Sequence, residues 1–383
     1  MKQNAIRVEK VISVGPVRET KTVADAIAAN SRFSGVKVEQ ILTVRPPSSD
    51  KLSREEILEK LMPHIKDADA RTMVITDIGD VRLYKGEQMA ADVAAHSNGA
   101  AFCLLTSKPE CVGSPLEFAK LIKSRGFSPS EIMPLINYIV HYAGNSDAIP
   151  AFLSIHEDKL NYKYGSERSI LVVEDKPNYY SGFLTQLYDI SAQRTRLLLA
   201  RTFEEAEEII HTAKERFAGA IIGLRFPRNG VLSETAPYEV SGILHAYNKG
   251  VPIVYQSMSD RRLERAKQDP GVFTLSKRDP ILMIALRNIM QDYFGFGDFI
   301  FRDASGKEVG RAGNFKEFYS ALKTLDGKSL VAHASRDDFS NWLYVHGYDD
   351  AASAIKPVFT DNAELLRRIL LQDLAPFADR FPF

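Results

Sequence analysis

Residues 170–177 read ILVVEDKP: four aliphatic residues in a row, then two carboxylates, a lysine and a proline. An unbroken apolar run of this length, rich in β-branched residues, suits a strand buried on both faces, as in a parallel sheet. Similar runs follow at 196–200 (RLLLA), 218–222 (AGAII), 253–255 (IVY) and 272–275 (VFTL). Between and after them, residues 179–187, 203–214, 238–248, 261–267 and 281–292 carry apolar residues at helical spacing. Glu204 and Glu205 stand early in the second of these, where carboxylates favour the positive end of a helix dipole. Strand and helix alternate five times.

Five such pairs predict a doubly wound, flavodoxin-like α/β sheet. The same rhythm occurs upstream, with strand-like runs at 10–14, 38–44, 72–75 and 101–105 and helical spacing over 53–65 and 86–95. Two tandem doubly wound parallel sheets are therefore expected, a repeat of pattern rather than of letters. The expected division is a first unit over 1–145, a polar join over 146–167 (including HEDKLNYKYGSE), a second unit over 168–297, and a small α+β segment over 298–383. In that last segment FIFR and residues 307–310 read as a hairpin around a turn at 303–306. Helices are expected over 315–325, 338–352 and 362–373, and helix is expected to continue from 131–142 into the join.

Lys plus Arg number 49 and Asp plus Glu number 49, so the formal net charge is zero. Nucleic-acid and anionic-membrane binders show a basic excess, so neither is expected as a partner. No apolar run has the length that spans a bilayer, and the N-terminus lacks the apolar core of a signal peptide. Two cysteines, Cys103 in an apolar run and Cys111, offer no metal-type spacing and fit a reducing compartment, so a cytoplasmic chain is expected.

Ligands of open α/β sheets bind beyond the carboxyl ends of the strands. In the second unit these ends carry Glu174 and Asp175, then Gly223, then Ser257, then Lys277. Paired carboxylates hold a magnesium ion, a hydroxyl bonds a phosphoryl oxygen and a lysine supplies a cation. These are the parts of phosphoryl transfer to a carboxylate.

ILVVEDKP, RFPRNG, PIVYQS and LSKRDP resemble the receiver domain of bacterial two-component response regulators. The resemblance makes Glu174 and Asp175 the acidic pair and metal ligands, Ser257 the switch hydroxyl and Lys277 the lysine. The phosphoacceptor aspartate falls on Gly223, leaving the acceptor position vacant. In the first unit MVITDIGD places Asp77 as phosphoacceptor candidate, CLLTSK places Thr106 as switch hydroxyl and LIKSRGFSPSEI places Lys123 as the lysine. There VISVGPVRE puts Gly15 and Pro16 where the acidic pair belongs, with Glu19 nearby. Longer words, FGFGDFIFRDASGKEVGRA and SLVAHASRDDFSNWL, are similar to the N-terminal regulatory region of large bacterial phosphoenolpyruvate/pyruvate-binding, dikinase-type proteins. Their catalytic region, with an ATP site and a phosphohistidine, has no counterpart in these residues. The resemblance implies a non-enzymatic regulator with a protein partner, a histidine kinase or a dikinase-type enzyme.

Other readings stand beside these. Asp77 serves as a working phosphorelay acceptor or as a strand-end residue bonded to backbone. Glu174 and Asp175 either hold Mg2+ or form a structural salt bridge with Lys277; the bridge is expected, and no cofactor is required. Arg225 and Arg228 flank the vacant position, and with them the second unit reads alternatively as a small-anion sensor. His333 and His346 read as structural, and Phe339 and Trp342, three apart, as core anchors. GFGDF lacks the lysine and later glycine of a phosphate loop.

Overall fold

A computed structural model describes residues 5–44, 51–77, 86–106, 115–142, 146–163, 168–191, 195–213, 217–269 and 271–378. They form two compact units. The first comprises Met1–Tyr164 with Glu174–Leu187, the second Gly165–Val173 with Tyr188–Phe383.

The first unit runs β1 (Lys10–Gly15), α1 (Val17–Ala29), β2 (Lys37–Leu42), α2 (Arg54–Ile65), β3 (Thr72–Asp77), α3 (Gly86–His96) and β4 (Ala101–Thr106). It continues with α4 (Pro115–Ser124), α5 (Pro129–Ile132), β5 (Tyr138–His141) and α6 (Ala148–Asn161). The five strands are parallel in the order β2-β1-β3-β4-β5. Alternate strand residues, among them Ile12, Val14, Val74, Phe102, Leu104 and Ile139, share one apolar cluster with residues of α2 to α5. α1 and α6 pack against each other. Ser53 caps α2 through a reciprocal box, its Oγ accepting from Glu56 N while the Glu56 carboxylate accepts from Ser53 N at 2.8 Å.

One strand was missed here, and the helix expected in the join is buried rather than solvent-facing. Residues 138–141 form β5, an edge strand, where a helix over 131–142 was expected. The polar join contains α6, whose side chains are buried almost throughout. Its polar letters misled because each is satisfied inside. Glu157, 3% exposed, accepts from Val8 N at 2.9 Å and from Arg32 at 2.7 Å. Asn161 exchanges two hydrogen bonds with the backbone of Ile6, both 2.7 Å. Such a set ties the N-terminal segment to the helix, since a buried polar group left unpaired costs about 1–3 kcal/mol.

His156 on α6 donates through Nε2 to Ala70 O at 2.8 Å, so its Nδ1 accepts from Tyr138 Oη at 3.1 Å. Burial holds its pKa below the ordinary 6.5. The folded ring thus stays neutral while the unfolded chain takes up a proton as pH falls through about 6.5. Its stabilising contribution is full above that pH and declines below it. Thermal midpoints at pH 7.5 and 5.5 should therefore separate further in the wild type than in His156→Gln. Equal separation in both would remove His156 as a source of acid sensitivity.

The second unit runs β6 (Ser169–Val173), β7 (Arg196–Ala200), α8 (Phe203–Ala213), β8 (Phe217–Gly223), a hairpin β9 (Phe226–Arg228) and β10 (Val231–Ser233), α9 (Ala236–Tyr247), β11 (Ile253–Ser257), α10 (Asp260–Ala266), β12 (Val272–Ser276) and α11 (Leu282–Tyr293). Helix α7 (Pro177–Ser191) follows β6, and its residues up to Leu187 fall in the first unit. The sheet order β12-β11-β8-β6-β7 is the first sheet's order written from the other edge. Asn229 (φ 49°) and Gly230 (φ 74°) make the tight turn of the hairpin, the conformation for which Asn-Gly is suited.

The chain from Phe299 onward belongs to the same compact unit as the second sheet. It comprises hairpin β13 (Phe299–Arg302) and β14 (Glu308–Ala312), then α12 (Phe315–Leu322), α13 (Gly327–Ala334), α14 (Asp338–Val345), α15 (Asp349–Ile355) and α16 (Ala363–Ala378). An aromatic core of Phe299, Phe301, Phe315, Phe318, Phe339 and Trp342 fills it. Two contacts, through Arg168 and Gly250, join this segment to the second sheet. Arg168 donates to Phe217 O at 2.9 Å and lies 5.5 Å from the Tyr344 ring centroid. Gly250 passes so close to the carbonyl of Arg336 that a Cβ would collide with it. Gly219 of β8 faces the Phe294 ring in the same way.

Candidate functional site at the carboxyl ends of the strands

Within each sheet, strand register gives the strand-end residues without reference to side chains. In the first sheet Val14 pairs with Thr76, so Gly15 and Asp77 come next on neighbouring strands. Asp77 pairs with Leu105, and Thr106 follows. Thr106 pairs with His141, and Tyr142 N then donates to Thr106 O at 2.6 Å. In the second sheet Val173 pairs with Ile222, so Glu174 follows β6 as Gly223 ends β8. Gly223 pairs with Gln256, and Ser257 follows. Ser257 pairs with Ser276, and Lys277 N donates to Ser257 O at 2.9 Å.

The two series match position by position. Gly15 corresponds to Glu174, Pro16 to Asp175, Asp77 to Gly223, Thr106 to Ser257 and Tyr142 to Lys277. By chain position, the strand ends of the first sheet carry an acceptor carboxylate and a hydroxyl and those of the second a hydroxyl and a lysine; Glu174 and Asp175, which follow β6 in the chain, fall in the first compact unit. Lys123 does not stand at the end of β5. It lies exposed in the last turn of α4, ahead of β5. The misplacement followed from missing β5, whose four residues between Asn137 and Tyr142 carry little strand signal by themselves. The side chain of Asp77 and the whole of Cys111 lie outside the described residues.

Glu174 and Asp175 are both 3% exposed, which is costly for carboxylates unless they are paired or hydrogen-bonded. Glu174 Oε1 accepts from Lys176 N at 3.2 Å. Ser257 Oγ accepts from Ser259 N at 3.0 Å, a strand-end hydroxyl turned back on its own backbone. Among the described residues no group of three or more His, Cys, Asp or Glu side chains is placed to hold a metal ion.

Arg228 does not stand ready for an anion beside Gly223. It pairs with Glu239 and stacks 4.4 Å from the Phe203 ring centroid. Arg225 is exposed and lies near Glu234. His333, 3% exposed, is bonded at both ring nitrogens, through Nδ1 to Asp338 Oδ2 at 2.7 Å and through Nε2, which accepts from Arg302 N at 2.9 Å. Neither nitrogen is left to act as base or phosphoacceptor. His346 Nδ1 bonds Trp342 O at 3.0 Å.

No family model matches the chain. No curated protein matches it either. Among solved structures, a protein described as a phosphosugar isomerase from Salmonella typhimurium LT2 is similar at 12% identity and a TM-score of 0.21, over 70% of this chain and 82% of that one. A LacI family transcriptional regulator from Bifidobacterium animalis subsp. lactis is similar at 12% identity and TM-score 0.21, over 80% and 98%. A UDP-N-acetylglucosamine 2-epimerase is similar at 10% identity and TM-score 0.23, over 89% and 98%. Similarities at this level carry no argument about fold or function. The α/β class rests on the two five-stranded parallel sheets themselves, and no described helix is long and apolar enough to cross a membrane.

Proposed function

We propose that the chain is a signal-transduction regulator, a degenerate response-regulator-like module that catalyses nothing and docks on a partner kinase or dikinase-type enzyme. The fold is read as two receiver-type, flavodoxin-like sheets in tandem, because both have the order 2-1-3-4-5 when strands are numbered within each unit. One observation carries the function: register splits the parts of one phosphorylation site between two sheets, so neither sheet has a complete set. Phosphoryl transfer to aspartate requires a metal to offset charge on acceptor and phosphoryl oxygens together. By register Gly15 and Pro16 stand at the strand-end positions next to Asp77, and Gly223 stands at the one next to Glu174. Such a module signals through its surfaces rather than through its own chemistry.

A second reading, a phosphorelay receiver modified at Asp77, is favoured by Glu19. This residue lies in the first turn of α1 just beyond β1, and its buried Oε2 has no hydrogen-bond partner among the described residues. The anion-sensor reading is weakened by the Arg228–Glu239 pair.

One experiment separates these readings. The intact chain is incubated with acetyl phosphate and magnesium and weighed. The wild type should gain no phosphate, whereas a gain abolished by Asp77→Asn would replace the regulatory reading with the second. In parallel, Gly223→Asp should acquire a saturable magnesium response in intrinsic fluorescence that the wild type lacks. An unresponsive variant would show that Glu174 and Asp175 do not face that strand end.

A further inference from the structure

After β8 the chain forms a hairpin whose two strands are held very differently. β9 is anchored. Phe226 is buried, Arg228 pairs with Glu239 of α9 and stacks on Phe203 of α8, and Asn229 N donates to Glu204 of α8 at 2.8 Å. β10 (VLS) pairs with β9 alone, and on it Val231 is 68% exposed and Leu232 37%.

Register fixes where the main chain of β10 points. Val231 pairs with Arg228 across the Asn229–Gly230 turn, Leu232 with Pro227, and Ser233 with Phe226. In a hairpin with so tight a turn the flanking residues exchange hydrogen bonds, and the next pair does not. Pro227, which has no N–H to give, stands at that second position. Leu232 N–H and C=O therefore face away from β9, and neither has a partner among the described residues. β10 carries no Lys, Asp, Glu or Pro, the residues that commonly blunt an edge against strand addition.

The base of the hairpin is basic. Arg225 precedes β9, and Glu234 follows β10. Glu234 accepts from Arg262 Nε at 2.8 Å, which holds its carboxyl below the usual range, with Arg261 and Arg225 adding to the effect. Glu204 and Glu239 are engaged by the hairpin itself, and Asp260 lies 3.8 Å from Arg278. Arg225 and Arg261 are exposed, and neither has an ion pair or hydrogen bond among the described residues. Two cations are thus left over beside an open strand.

We propose that β10 is a docking edge for an extended acidic segment of a partner protein, which adds as a third strand along Leu232 and sets carboxylates against Arg225 and Arg261. Strand addition draws affinity from main-chain hydrogen bonds and selectivity from alternate side chains. Here the two arginines select acidic residues, and Val231 and Leu232 give apolar contact to the residues between. The proposal rests on the docking reading and supplies the chemistry of its partner.

The probe is a fluorophore-labelled peptide of alternating glutamate and valine, with alternating lysine and valine as its control. Titrated with the full chain, the acidic peptide should bind saturably and slow hydrogen exchange at the Leu232 amide, and the basic peptide should do neither. Arg225→Ala combined with Arg261→Ala should weaken binding at least about tenfold, as for loss of close charge pairs at an interface. Leu232→Pro removes the outward N–H and no bond within the hairpin, so it should weaken binding while leaving the thermal midpoint in place. Leu232→Glu keeps the main chain, sets a like charge on the edge and should weaken binding as well. Equal affinity for the two peptides would overturn the proposal. So would a loss on removing the arginines that neither Leu232 variant reproduces, since charge without strand addition would then explain it. Dimers of the peptide-free chain that Leu232→Pro abolishes in light scattering would make a second copy the occupant instead. Failure of the acidic peptide to bind would remove this surface alone; the regulatory reading is judged separately by the acetyl phosphate measurement.

Discussion

Replacing Trp342 by alanine is expected to destabilise the second unit by about 3–5 kcal/mol, the range for truncating a buried large aromatic residue. The indole is 2% exposed and sits in a ring cluster, 5.2 Å from Phe318 and 6.0 Å from Phe299 between centroids. Its Nε1 donates to Gly297 O at 2.9 Å, across the turn that leads from α11 into β13. Truncation therefore opens a cavity and orphans a carbonyl at once. Trp342→Phe keeps most of the volume and loses the hydrogen bond, so it should cost less than half as much. Urea unfolding followed by far-UV circular dichroism measures both, since this is the only tryptophan and fluorescence would vanish with it. A loss below about 1 kcal/mol for the alanine variant would mean that the cluster closes over the gap, contrary to the packing seen.

Gly219 gives the second large effect, with the opposite physical cause. A Cβ there would lie inside the van der Waals envelope of the Phe294 ring, itself 2% exposed, at the end of α11. Overpacking of a closed core costs about 1–3 kcal/mol, and a β-branched side chain adds two further methyl groups to the clash. Gly219→Val should thus destabilise by at least the upper part of that range. A compensating change identifies the cause. Phe294→Leu alone should cost stability, yet combined with Gly219→Ala it should restore part of the loss, giving a favourable coupling in a double-mutant cycle. Strict additivity would show that the ring is not what the new methyl meets.

Much of this architecture is legible in the letters. The runs KVISV, TMVI, AFCLL, ILVV, RLLLA, AGAII, IVY and VFTL are dominated by apolar residues, most of them buried, and each is a strand within a residue or two at its ends. β5 and the burial of α6 were hidden for the converse reason. β5 is four residues long, too short for periodicity. α6 carries His156, Glu157, Asp158 and Asn161, polar residues that look solvent-facing until tertiary partners are known. Losing β5 also misplaced the lysine: Lys123 was taken because it was a lysine, whereas register shows Tyr142 at that strand end. Sequence brought out the contrast between Asp77 and Gly223. The bond from Arg302 N to His333 joins residues 31 apart in the chain and that from Tyr180 Oη to Ile139 O residues 41 apart, so no local pattern announces them; the pairing of Arg228 with Glu239 depends on the hairpin between them.

The close passage of Gly250 beneath the Arg336 carbonyl also bears on how this chain can be divided. Main chain meets main chain there with no side chain between, so the helices after residue 299 cannot be peeled from the second sheet by trading surface residues. A fragment ending near residue 297 would uncover the Gly250 turn and Gly295, which packs on Trp342 and Val345. Anyone transplanting the second sheet as a portable unit will need to carry the C-terminal helices with it.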